Sequence, residues 1–136
     1  MNAPSDDIKD ILVADDLDLV AGTNLFVGKE PASPPNTVTI FDSPGGGPGR
    51  TYNRLEKYEY RAVNIRVRNA SYQLGMKQAQ DIVNALEGLS NIETDKALYT
   101  RIEVIDSPGL IGYDDNGRPW ITFNLEIQRR PIEVET

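Results

Sequence analysis

Two runs of this sequence alternate apolar and polar residues with a period of two. Val63, Ile65 and Val67 stand at every second position within Tyr58–Arg68. Ile121, Phe123, Leu125 and Ile127 do the same after Trp120, with Thr122, Asn124 and Glu126 between them. Successive strand side chains point to opposite faces of a sheet, so each run reads as a strand with one face in a core and one toward water. Strands of this kind belong to antiparallel sheets covered on one side. Asp114-Asp115-Asn116-Gly117 just before the second run is a reverse-turn signal, because Asn-Gly tolerates positive φ. It predicts that the last two strands are antiparallel neighbours.

The remaining elements fall around these strands. Ser5 followed by Asp6 and Asp7 predicts a helix over about 6–20, capped by Ser5 and stopped near Gly22. Its apolar face is Ile8, Ile11, Leu12 and Leu19, and Asp10, Asp15 and Asp18 stay wet. Leu25–Val27 is a short strand, the three-proline run 28–36 a loop, and Thr37–Phe41 a β-branched strand. Asn69 is expected to cap a second helix over about 71–88, with Tyr72, Met76, Ala79, Ile82, Val83 and Leu86 inward and Gly88 at its end. Leu98–Ile105 is a further strand, broken by Asp106-Ser107-Pro108-Gly109. The order is α-β-β-β-α-β-β. The fold class is α+β, a mostly antiparallel sheet with two helices packed on one face. A chain of 136 residues suits one domain, residues 1–136, able to bury about two-thirds of its unfolded surface. The expected core is Ile8, Ile11, Leu12, Phe41, Val63, Ile65, Val67, Ile82, Val83, Leu86, Ile102, Val104, Ile121, Phe123 and Leu125.

The chemistry open to the chain is narrow. It has no cysteine and no histidine. Disulfides, thiolate nucleophiles, Ser-His-Asp triads and His-ligated zinc are therefore excluded. The segment Ser43–Arg50, SPGGGPGR, lacks the Lys-Ser/Thr and the following helix that a phosphate-binding loop needs. Asp114, Asp115 and Asn116 lack the alternating acidic ladder of a calcium loop. Asp15 and Asp16, as helical neighbours, diverge by about 100° and do not converge on one site. No catalytic residue, cofactor or metal ligand is expected. No apolar run of about 18 residues exists to span a membrane, and MNAPSDDIKD lacks a signal-peptide layout, so the chain is expected to be made and used in a cytoplasm.

Charge is uneven along the chain. The net charge is −7, which argues against wrapping a nucleic-acid backbone. Residues 1–20 hold six Asp and one Lys, whereas residues 50–68 hold six basic residues and two Glu. Within that basic stretch Tyr52, Arg54, Tyr58, Tyr60, Arg61, Arg66 and Arg68 interleave aromatics with arginines. Three readings are open: single-stranded nucleic acid, a protein interface, where Tyr and Arg are favoured, and an outward strand face. The interface reading assigns contact roles to Gly45, Gly46, Gly47, Arg50, Tyr52, Arg54, Tyr58, Tyr60, Arg66 and Arg68.

A series of short words runs along almost the whole chain. They are N-L-F-V-G-K-x-P (Asn24–Pro31), P-P-N-T-V-x-I-F-D (Pro34–Asp42), V-x-I-R-V-R (Val63–Arg68), I-V-N-A-L-x-G-L (Ile82–Leu89) and S-P-x-x-I-G-x-D-x-N-G-R-P-x-x-x-x-N-x-x-I-x-R (Ser107–Arg129). In order and spacing they resemble the tail terminator, or minor capsid, proteins of long-tailed bacteriophages. The resemblance implies a structural virion protein without catalytic residues. It implies a homo-oligomeric ring, usually a hexamer, that caps the tail tube and meets a head-side neck or connector protein. It places the protein in the tail–neck region of a virion assembled in the host bacterial cytoplasm, with DNA passing its lumen without specific binding. The rival readings are another head–tail connector or neck-completion subunit and, more distantly, a small-ligand binder or an enzyme.

Overall fold

The computed structural model describes residues 2–44, 58–94 and 96–132. Its spine is strand β7 (Pro119–Pro131), whose residues alternate between buried and half-buried along almost its whole length. Strand β3 (Glu59–Arg68) pairs antiparallel with one side of it, from Glu59 opposite Arg129 to Arg68 opposite Trp120. On the other side β5 (Ala97–Val104) pairs with its C-terminal half and β6 (Gly109–Tyr113) with its N-terminal half. Strand β2 (Thr37–Ser43) joins β3 antiparallel, and β1 (Leu25–Val27) joins β2 in parallel. A two-residue β4 (Ile92–Glu93) borders β5. The order is β1-β2-β3-β7-β5-β4, with β6 beside β7.

Both helices lie on one face. Helix α1 (Pro4–Ala14) packs on β1, β2 and β3, and α2 (Tyr72–Leu86) on β3, β5 and β7. Between them and the sheet lie Ile8, Leu12, Val38, Ile40, Val63, Ile65, Val67, Ala79, Ile82, Leu86, Ile121, Phe123, Leu125 and Ile127, all at most 1% exposed. Each large side chain among them stabilises the fold by about 1.5–3 kcal/mol through removal from water. The mostly antiparallel α+β architecture and the inward faces of β3 and β7 are as the alternation predicts.

Several local readings are corrected. Helix α1 begins at Pro4, whose missing N–H suits the first turn. It stops at Ala14, where Asp15 turns extended, and Leu19 reaches the core from the following loop. Ser5 is no cap: its hydroxyl donates to Asp42 Oδ2 at 2.6 Å. Helix α2 is capped by Ser71, whose Oγ accepts from Leu74 N–H at 3.3 Å, while Asn69 Oδ1 accepts from Ser71 N–H at 2.9 Å. Tyr72 is 48% exposed. The inward place there belongs to Gly75, where a Cβ would meet Ile121 Cδ1 at 2.7 Å. Phe41 leaves the core for the helix-free face, because Val38 and Ile40 on the opposite phase of β2 align with Val67 and Ile65. Ile11 and Val104 are partly buried against the core. Residues 106–108 interrupt the pairing along β7 rather than end it, and Gly109, expected in the break, already belongs to β6. Ile105 N–H donates to Asn124 O, and Asp106 accepts from Asn124 N–H at 2.7 Å and from its amide at 2.8 Å. The chain then rejoins β7 as β6.

Candidate assembly surfaces

A buried polar cluster fastens α1 to the sheet. Tyr99 on β5 stands opposite Arg129 on β7, and Glu59 on β3 opposite Arg129 on its other side. Asp7 of α1 points into this group. Arg129 approaches Asp7 at 3.5 Å and Glu59 at 3.1 Å, and donates to the Asn2 carbonyl at 2.7 Å; Tyr99 donates its hydroxyl to Asp7. Burial pushes the Tyr99 phenol well above its ordinary value, and its bond to Asp7 adds to the shift against the opposing pull of Arg129. Burial also works to raise Glu59, but hydrogen bonds from Arg61 and Arg129 outweigh it and hold the carboxyl below its usual range. The arginine stays charged, since its anionic and phenolic partners more than offset desolvation. These groups face one another, so their chemistry is that of a clamp. Among the described residues no three acidic side chains gather to hold a metal ion.

The helix-free face carries the described part of the basic and aromatic strip apart from Arg61, which alternates onto the other face with Glu59 and Val63. Tyr60, Asn64, Arg66 and Arg68 of β3 stand beside Gln128, Asn124, Thr122 and Trp120 of β7. The loop 28–36 folds over one end of this face and Arg68 holds it there. Its guanidinium donates to Pro35 O at 3.2 Å, to Pro34 O at 2.7 Å and to Glu30 at 2.9 Å. Its side chain is 3% exposed. Trp120 Nε1 donates to the same Glu30 oxygen at 3.0 Å, and Arg118 reaches Ala32 O at 3.1 Å. Arg118 also pairs with Asp114 at 2.6 Å. Partial desolvation works to raise Asp114, but hydrogen bonds from the Arg118 backbone, the Arg118 side chain and the Asn116 backbone hold it below the usual carboxylate range.

The other strip residues are placed differently. Arg66 lies between the rings of Phe41 and Trp120, at 5.2 and 4.9 Å from their centroids. Tyr60 accepts from Gln128 at 3.1 Å, and Asn64 donates to Thr122 at 2.6 Å and Asn124 at 3.0 Å. Arg61 pairs with Glu59 at 2.5 Å. Tyr58 is half-buried at the start of β3. The structure thus brings Tyr60 and Arg66 into one half-buried polar and aromatic plate and turns Arg68 to an internal role. Gly45, Gly46, Gly47, Arg50, Tyr52 and Arg54 lie outside the described residues.

A second surface lies at the sheet margin. Ile105, Leu110, Ile111 and Tyr113 are 49%, 42%, 54% and 59% exposed. Beside them a groove of 310 Å³ runs between α2 and the β5–β6 connection, lined by Val83, Val104, Ile105 and Pro108 with Gln80, Glu87 and Asp106 at its rim. The sequence signal for this surface is the absence of any charge from Ser107 to Tyr113. A larger groove of 410 Å³ separates the loop at Asp16–Leu19 from Leu74, Lys77, Gln78 and Asp81 of α2.

Residues 10–130 match a family model described as bacteriophage tail terminator protein. No curated protein matches the chain in sequence. A chain in a solved structure of the virion of a native gene transfer agent particle shares the fold, with a TM-score of 0.67 over 90% of each chain and 12% identity.

Proposed function

The chain belongs to the bacteriophage tail terminator family, and from that premise we propose that it acts as a ring of identical copies, six by family resemblance, closing the head-proximal end of a tail tube. One side of the ring meets the tube protein and stops its polymerisation. The other meets a head-side neck or connector protein. The subunit is a structural component of the virion tail and works by shape and stoichiometry. The observation that carries this reading is the extent of the family match, which takes in α2 and all the strands but for the last residue of β7.

Weak contacts suit such a task. A site that binds a single tube subunit poorly binds a completed tube end firmly when identical copies engage together. Tyr58, Tyr60 and Arg66 on the helix-free face, with Gly45, Gly46, Gly47, Arg50, Tyr52 and Arg54 in the segment before β3, are assigned to these tube or neck contacts. Arg68 supports them from within by fixing the 28–36 loop. A net charge of −7 suits a lumen through which DNA passes without sticking. Size-exclusion chromatography with light scattering tests the reading: a closed oligomer of uniform mass supports it, and a chain that stays monomeric even with polymerised tube protein overturns it.

A further inference from the structure

We propose that the outer edge of β6 is the surface by which one copy of the chain holds the next, and that its occupant is the α1–β1 flank of a second copy. This rests on the ring reading above and adds which surfaces meet. Strand β6 pairs with β7 on one side, and its other edge has no backbone partner among the described residues. Soluble monomers protect such an edge with charge, proline or a covering element. Here Gly109–Tyr113 carries no charge, and among the described residues four of the eight exposed large apolar side chains lie between Ile105 and Tyr113. An exposed apolar strip with free strand hydrogen-bonding groups fits another protein edge better than it fits water.

The partner surface follows from topology and from the exposed apolar residues it offers. A closed ring joins two different patches, one on each flank of the subunit, whereas a two-fold dimer needs only one patch. Strands β1 and β6 lie on opposite flanks of the sheet. Val20, 54% exposed, sits against β1: its carbonyl accepts from Asn24 and Leu25 N–H, and Ala21 bridges to Leu25. Val13, 43% exposed, is on the adjoining helix. The apolar strip of β6 is bounded by exposed Asp106 and Asp115, and β1 is followed by exposed Lys29, while Asp10, Asp15, Asp16 and Asp18 are exposed on the α1 side of the same flank. Of these, Asp16 and Asp18 line the groove against α2. Lys29 meeting one of the β6 carboxylates at one end of the apolar contact fixes register more than it adds affinity. The irregular register at Ile111 bends β6, which turns each copy relative to the last instead of extending a flat sheet.

The test uses the full chain and the variants Ile111→Glu and Val20→Glu, both at exposed positions, with circular dichroism and urea midpoints confirming their folds. By native mass spectrometry each variant alone should lose the oligomer, and an equal mixture should form a dimer and nothing larger, because each retains the surface the other lacks. If a charge unfolds the chain, serine at the same position should weaken assembly at least tenfold. Assembly of both variants like wild type overturns the proposal. So does loss of assembly by Ile111→Glu while Val20→Glu assembles normally, the outcome of a β6-to-β6 contact. Open head-to-tail chains of wild type support the contact and overturn the closed ring. Wild-type protein that stays monomeric at every concentration, and with polymerised tube protein as well, overturns both.

Discussion

Replacing Asp7 by alanine separates a buried clamp from an ordinary acidic helix start. Helix α1 has eleven residues, too few to hold itself together in water. It stays in place through Ile8 and Leu12 below and through Asp7, whose side chain is 2% exposed beside Arg129. Removing one partner of a buried ion pair costs about 3–5 kcal/mol, because the charge left behind is uncompensated. Arg129 keeps Glu59 at 3.1 Å, so the lower end applies, about 3 kcal/mol. That is a large part of the 5–15 kcal/mol that holds a typical domain together. It should lower the melting temperature by roughly 10 °C. Asp6, one residue earlier and 45% exposed, supplies the control: Asp6→Ala should change stability by about 0.5 kcal/mol or less. Urea unfolding of both variants at neutral pH reads the difference. A loss below about 1 kcal/mol for Asp7→Ala, comparable with that for Asp6→Ala, would refute the clamp.

Phe123→Ala should cost about 3–5 kcal/mol, since the ring is fully buried, and Phe41→Ala on the half-buried face clearly less; equal midpoints in urea would show that the two faces are misassigned. Gly75→Ala sets about 1 kcal/mol of helix propensity against about 1–3 kcal/mol of overpacking on Ile121, so a net loss is expected, and a stabilised variant would show that Ile121 yields freely. Glu59 is held below its ordinary value, so its contribution is fully present above the unfolded-chain pKa near 4 and is lost as pH falls through the folded value. Glu59→Gln should therefore flatten the acid limb of stability against pH, and an unchanged limb would remove Glu59 from the clamp.

The alternation that made β3 and β7 legible is a local signal of a sheet with one covered face, and it places Val63, Ile65, Phe123 and Leu125 correctly. Where the chain departs from a regular period the signal fails. Strand β6 follows an interruption at Asp106–Pro108 and contains an irregular register at Ile111, so nothing local marks it as the continuation of β5. Asp6 and Asp7 look alike at a helix start; only the arrival of Arg129 beside one of them tells them apart. Arg66 and Arg68 lie on the same face by alternation. The loop that folds over Arg68 separates an internal arginine from a more exposed one, and that loop is packed from a distant part of the chain. The candidate contact surface at Leu110–Tyr113 leaves only a weak trace, the lack of charge from Ser107 to Tyr113, because nothing local shows that this stretch forms a sheet edge.

Tail length in particles assembled without this protein tests the central claim most directly. A ring that caps the tube predicts that deleting the gene gives tubes of variable, excessive length that do not join heads, and that supplying wild-type protein restores uniform tails, whereas Ile111→Glu does not. Tails of normal length attached to filled heads in the deletion would contradict the account.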